Sequence, residues 1–211
     1  IQEFFVKDTI PSLNYKYYHI GNQNMKSKSH MAIYSKYNQI NKETVTIKGE
    51  KMNNICIFSD IVVKEDTLRV YNLHLASNWF NSSDYSFIYR PKKSEIKKGL
   101  LGISERMRVS FKKRANEASI IRKHIDSSPY PVILCGDFND TPMSYSYNKI
   151  KGELSDAFCL SGKGTGNSYV KIPTLRIDYI MHDKHINSIN FKTHNLILSD
   201  HYAISCEITN P

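Results

Sequence analysis

The apolar run Pro131–Cys135 breaks off into Gly136-Asp137-Phe138-Asn139-Asp140, and this junction constrains the fold more than any other stretch of the chain. A short apolar run bounded by turn residues fits a strand buried on both faces of a sheet. Gly, Asn, Asp and the following Thr141-Pro142 are turn formers, so a plain polar turn explains the stretch equally well. A carboxylate at the end of a buried strand is nevertheless costly unless it is paired, hydrogen-bonded or bound to metal. The same junction recurs in "YNLHL", "RIDYIM" and "LSDHYAIS", where Asn72, His74, Asp178, Asp200 and His201 interrupt apolar runs. Strands of one sheet can gather their ends into a single cleft. Four interruptions of this kind therefore point to a site.

Strand patterns cover Ala32–Tyr34, Ile55–Val63, Leu68–Leu75, Pro131–Cys135, Arg176–Met181 and Tyr202–Ile208. In the third, Leu68, Val70, Asn72 and His74 share one face by alternation. From Ser104, a suitable N-cap, to Asp126 the pattern is helical: Met107, Phe111, Ala115, Ala118, Ile121 and Ile125 recur every three or four residues. A long connector, Trp79–Ile103, precedes this helix, and connectors of such length are commonly functional or mobile. The glycines of "LSGKGTGNSYVKIP" match no nucleotide-binding loop, so turn duty is assigned to them. Strands outnumber helices and one helix crosses between strands, which predicts an α/β or α+β layered domain over residues 1–211. No run approaches the ~20 apolar residues of a membrane span, and no signal peptide opens the sequence. Cys56, Cys135, Cys159 and Cys206 show no zinc-site spacing and read as buried thiols.

The net charge of +9 is local. Between Arg90 and Lys123 stand 12 Lys/Arg against 3 Asp/Glu, while the remaining 17 basic and 17 acidic residues cancel. A solvated helix face explains this surplus, and so does a surface for nucleic acid, an anionic lipid or a phosphorylated small molecule. A connector leaving a strand just after His74 begins near the rim of any cleft at that strand end. Arg90, Lys92, Lys93, Lys97 and Lys98 are therefore expected within reach of an extended anionic substrate.

Carboxylates with an Asn and two histidines, without cysteine, suit a hard, oxygen-preferring ion such as Mg²⁺ or Mn²⁺. The ordered set "IQE", "NLHL", "GDFN", "RIDYI" and "SDH" resembles the endonuclease/exonuclease/phosphatase superfamily, that of deoxyribonuclease I and neutral sphingomyelinases, from Glu3 to about Ile208. The resemblance implies a four-layer αββα sandwich. It also implies that a strand carrying a metal-binding Asn precedes "QE", so the domain is expected to be N-terminally incomplete. It assigns Glu3 and Asp200 to the metal. His74 is implied to contact the scissile phosphate, Asp137 to orient or deprotonate the attacking water, and Asn139 to bind phosphate oxygen. Asp178 is implied to orient His201, which polarises the phosphoryl group. Asn72 is added as a substrate-contacting candidate.

The expected activity is Mg²⁺-dependent phosphoester hydrolysis by a monomer, with phosphodiester cleavage of the nuclease type favoured. The alternatives are a phosphatase or phospholipase C-like enzyme acting on a small molecule or lipid head group, and a catalytically silent anion-binding domain.

Overall fold

Ten strands and four helices organise the computed structural model, which describes residues 1–3, 15–21, 30–46, 56–78, 80, 82–90 and 96–209. In chain order they are β1 (Tyr17–Ile20), β2 (Ala32–Ser35), β3 (Asn38–Thr44), β4 (Cys56–Val63), β5 (Asp66–His74), α1 (Ser82–Tyr89), α2 (Ile96–Asp126), β6 (Val132–Asp137), α3 (Tyr145–Lys151), β7 (Ser155–Asp156), α4 (Ala157–Ser161), β8 (Asp178–His182), β9 (Asn187–His194) and β10 (Ala203–Thr209). The central sheet runs β3-β4-β5-β6-β8-β7. Only β5 and β6 pair in parallel, joined by the α1–α2 crossover, and the remaining pairs are antiparallel.

Alternation along the strands divides the side chains between two layers. Phe58, Tyr71, Leu73, Leu134, Tyr179 and Met181 face the helices, packing with Ala118, Ile121 and Ile125 of α2 and with Tyr147 and Ile150 of α3. On the opposite face, two strand pairs, β1-β2 and β9-β10, form a second layer of strands. Met31 and Ile33 pack on Ile57 and Ile61, while Phe191, Ile204 and Cys206 pack around Ile180 and Cys135. The fold is thus α/β, built on a central mixed sheet with α2 and α3 on one side, while α4 packs with β9 on the other. Among the described residues no long helix covers the outer side of the second strand layer.

Several sequence expectations are corrected. The long helix begins at Ile96, so Ser104 lies inside it and its hydroxyl donates to the Leu101 carbonyl at 2.9 Å. Part of the expected connector is α1. The apolar stripe of α2 meets the core only in its second half; Phe111 is exposed, and Ser110, Arg114 and Glu117 are buried instead. β6 is fully buried at Val132 and Leu134 but only half-buried at Ile133 and Cys135. All four cysteines are free, and Cys159 is exposed.

Candidate active site

The register of the central sheet builds the site. His74 at the end of β5 pairs with Asp137 at the end of β6, and Asp137 pairs with Asp178 at the start of β8. Alternation then puts all three side chains on the face turned toward the second strand layer. The strands must approach closely for this: a Cβ on Gly136 would lie 2.3 Å from the Leu73 carbonyl oxygen, so that position admits only glycine. His201 arrives from the other layer, just before β10, where the Tyr169–His201 bridge fixes it. Its Nδ1–H donates to Asp178 Oδ2 at 2.8 Å. Its Nε2 lies 3.9 Å from Asp137 Oδ2, and His74 Nε2 lies 3.5 Å from the same oxygen.

Buried polar groups hold these strand ends. The Ser168 hydroxyl, fully buried, accepts from the backbone N–H groups of both Ile177 and Asp178 at 3.0 Å. The Asn139 backbone N–H donates to Asp137 Oδ1 at 2.7 Å, and its amide donates to Asp137 Oδ2 at 3.1 Å and to the Leu75 carbonyl at 2.9 Å. Asn139 adopts a φ of 50°, a left-handed conformation that Asn tolerates better than most residues. From beneath, Arg114 donates to the Ala76 carbonyl at 2.8 Å, to Asn78 Oδ1 at 3.0 Å and to Asp140 Oδ2 at 3.0 Å. Glu117 accepts from the Ala76 backbone N–H at 2.9 Å. The buried middle of α2 therefore anchors the turns after β5 and β6, which explains charged residues where an apolar stripe was expected.

A cleft of about 1140 Å³ opens over this row, lined among others by Glu3, His74, Asp137, Asn139, Asp178, Asp200 and His201. Burial, followed by the like charge of Asp178, pushes the Asp137 carboxyl up to about 8. For His201 burial opposes the charge, but the hydrogen bond and charge of Asp178, with Asp137 and Asp200, prevail and raise it to about 9. Burial lowers His74, against the attraction of Glu3. At neutral pH the free site thus holds one protonated histidine and one neutral one.

Oxygen and nitrogen atoms of Asp137, Asp178 and His201 lie within 4.8 Å of one another, close enough to share a cation. His201, protonated and committed to Asp178, is a poor ligand in that state. The carboxylates remain, and Glu3 is near enough for its charge to act on both His74 and Asp137. Two carboxylates, Asp137 and Asp178, converge here, with Glu3 lining the same cleft, and such oxygen donors suit a hard divalent ion.

Some predicted residues do not join this centre. Asp200 reaches the cleft wall, but its carboxylate pairs with Lys171 at 2.9 Å rather than turning to the carboxylate cluster. Asn72 is buried beneath the chain start: it accepts from Gln2 Nε2 at 2.5 Å and donates to the carbonyls of Ile1 at 2.8 Å and Ala32 at 3.1 Å. It tethers the segment bearing Glu3 and lines no part of the cleft, which corrects its assignment to substrate. Arg90 closes α1, whose Tyr89 hydroxyl donates to the Lys171 carbonyl. Lys92 and Lys93 lie outside the described residues, as do the side chains of Lys97 and Lys98. Elsewhere in that basic segment, Arg106, Arg108, Arg114 and Arg122 each pair with a carboxylate, so part of the surplus is structural.

The sequence reading missed the other cleft wall. The loop assigned to turns carries Tyr169, whose ring meets His201 edge-on with centroids 5.1 Å apart, and whose hydroxyl shares a 2.7 Å hydrogen bond with that of Tyr85. Positive φ at Gly164 and Gly166 does show turn duty for the glycines.

The model of the Endonuclease/Exonuclease/phosphatase family matches residues 1–201. The chain belongs to this family. Among solved structures, a mannosyl-6-phosphatase from Bacteroides thetaiotaomicron VPI-5482 superposes with a TM-score of 0.68 at 16% identity, over 99% of this chain and 83% of that one. A humanized D. rerio TDP2 gives 0.67 at 14% identity, over 99% and 84%. The human Nocturnin catalytic domain, with bound sulfate anion, gives 0.55 at 17% identity, over 87% and 64%. At these identities the likeness shows the fold. No curated protein matches the sequence. Family membership makes the chain a phosphoesterase-type hydrolase, from a family that generally uses divalent metals.

Proposed function

We propose that this endonuclease/exonuclease/phosphatase family member hydrolyses phosphodiesters in the cleft above Asp137, with Mg²⁺ or Mn²⁺ as its cofactor. The observation that carries the reading is the placement of Asp137 Oδ2 between His74 and His201, with His201 fixed by Asp178 at 2.8 Å. Asp137 takes the proton of the attacking water as its oxygen bonds to phosphorus and the bond to the leaving oxygen breaks. Burial raises its proton affinity in the metal-free site, and the positive charge of a bound cation would return it to the ionised form that acts as base. Protonated His201 offers Nε2–H to a phosphoryl oxygen, and Asp178 keeps the ring in the one orientation that allows it. Neutral His74 donates a hydrogen bond to the ester, and the Asn139 amide holds Asp137 in place. A divalent ion held by Glu3 beside the Asp137 carboxylate, with Asp178 committed to His201, would supply charge neutralisation on the phosphoryl oxygens.

The charge balance favours a diester. A monoester carries about −1.5 to −2 at neutral pH. Among the described cleft residues the fixed cations are His201 and Lys171, and Lys171 is already paired with Asp200. The test compares Mg²⁺-dependent turnover of bis-p-nitrophenyl phosphate and p-nitrophenyl phosphate. Faster cleavage of the diester is expected. A strong preference for the monoester would overturn the diester reading, and no turnover of either would overturn hydrolysis itself.

A further inference from the structure

In the central sheet β5 and β8 flank β6, so the chain leaving β5 and the chain entering β8 rise on opposite sides of Asp137. Helix α1 spans from one to the other. Tyr85 and Tyr89 stand four residues apart and share a face of this helix. The Tyr85 hydroxyl shares a 2.7 Å hydrogen bond with that of Tyr169, and the Tyr89 hydroxyl donates to the Lys171 carbonyl. Tyr169 and Lys171 both belong to the segment before β8. The opposite face of α1 is locked to α2. Buried Asp84 accepts from Arg106 Nη2 at 2.7 Å, and a Cβ on Gly99 would come within 2.6 Å of the Phe87 ring. Only Asp84 of the eight residues of α1 is buried, so core packing does not account for this helix. So short a helix persists through its anchors.

The bridge lies against the reacting centre. The Tyr169 ring meets His201 edge-on with centroids 5.1 Å apart. Its segment is pinned to the one that carries His201: the Val170 N–H donates to the Asp200 carbonyl at 2.9 Å, and the Tyr202 N–H to the Ser168 carbonyl at 2.8 Å. A phosphorus bound by His201 therefore faces a closed wall on this side. Phe80, edge-on to Tyr85, extends that wall, and Lys171 is already paired with Asp200, so nothing here draws in a second phosphate. A polymer that continues on both sides of the scissile phosphorus must leave the cleft in two directions, and one of them is bridged. We propose that α1 straps this end of the cleft shut, so that the site takes phosphodiesters with one short, terminal arm and excludes the internal bonds of a polymer. The proposal rests on the phosphodiester reading for its chemistry, and the strap is tested separately from it.

The experiment incubates the protein and Mg²⁺ with covalently closed single-stranded DNA circles, in which every phosphodiester is internal, and separately with bis-p-nitrophenyl phosphate. Asp137→Asn serves as the blank. Wild type should turn over the small diester and leave the circles closed. The double variant Tyr89→Ala/Arg106→Ala removes one anchor on each side of α1, and neither residue lines the cleft. It should open circles at least ~10-fold faster than wild type, because the unstrapped state gains population as its anchors go. Its turnover of bis-p-nitrophenyl phosphate should stay within about threefold of wild type. Tyr89→Phe, which removes one hydroxyl and no packing, should open circles about threefold faster. Equal rates on circles for wild type and both variants, whether fast or nil, would overturn the strap and leave the phosphodiesterase reading standing. Absence of small-diester turnover in wild type would remove that reading, and the strap's role with it.

Discussion

Asp178→Asn isolates the electrostatic part of the site. The substitution keeps the volume and an oxygen that accepts from His201 Nδ1, but removes the charge. In the free protein His201 is raised from its ordinary 6.5 to about 9, against burial, chiefly by that carboxylate. At ~1.36 kcal/mol per unit, the environment favours the protonated ring by about 3 kcal/mol. Without Asp178, burial is opposed only by Asp137 and Asp200, and His201 should return toward its ordinary 6.5. At pH 8 its protonated fraction then falls from about nine-tenths to about 0.03, which predicts a loss in kcat of roughly 30-fold. At pH 6 most of the ring stays protonated and the loss should be under about twofold. The assay is the pH profile of kcat on a soluble diester, with the imidazole titration followed by NMR. A loss of equal size at both pH values, or an unmoved His201 midpoint, would refute the reasoning. The raised histidine contributes stability that is complete below about 6.5 and disappears as pH rises through about 9. Asp137 has the opposite sign and is itself raised by Asp178, so the NMR midpoint reads the effect more cleanly than Tm.

Two further outcomes follow from the same geometry. Asp137→Asn should raise Tm at pH 8, with a smaller gain at pH 5. Burial lifts the folded carboxyl to about 8, so the cost of ionising it grows as pH climbs from about 4 to 8; calorimetry showing a lower Tm than wild type at pH 8 would contradict this. Asn72→Ala should cost about 1–3 kcal/mol in urea unfolding, since it removes the hydrogen bonds of a buried side chain to Gln2, Ile1 and Ala32. It should also raise the Mg²⁺ concentration needed for activity by loosening the segment that carries Glu3, and an unchanged Mg²⁺ midpoint would remove that link.

Legibility followed the range of the interactions. His74, Asp137 and Asp178 were readable because an apolar run breaking into a polar residue is a local signal, and period-two alternation fixes the face. Their cross-strand alignment was not readable, because register depends on partners far along the chain. β3 and β9 escaped notice because "NQINKET" and "NSINFKTH" are mostly exposed and polar, with only isolated inward residues such as Gln39 and Phe191. The first turns of α2 looked like a loop because Gly99 and Gly102 weaken helix propensity. Arg114 and Glu117 read as solvated charges, and only tertiary structure reveals the backbone groups they satisfy. Tyr169 gave no signal at all, since its role comes from tertiary contacts with His201 and Tyr85.

The most direct test of the account is Mg²⁺-titrated turnover of bis-p-nitrophenyl phosphate by wild type and Asp137→Asn, each also measured after exhaustive EDTA treatment. Wild type should be inactive in EDTA and recover with added Mg²⁺ or Mn²⁺. Asp137→Asn, folded by circular dichroism, should remain at least ~10²-fold slower at every metal concentration, as expected for loss of a positioned base. Full wild-type activity in EDTA, or wild-type rates in Asp137→Asn, would contradict a metal-assisted phosphoester hydrolase centred on Asp137.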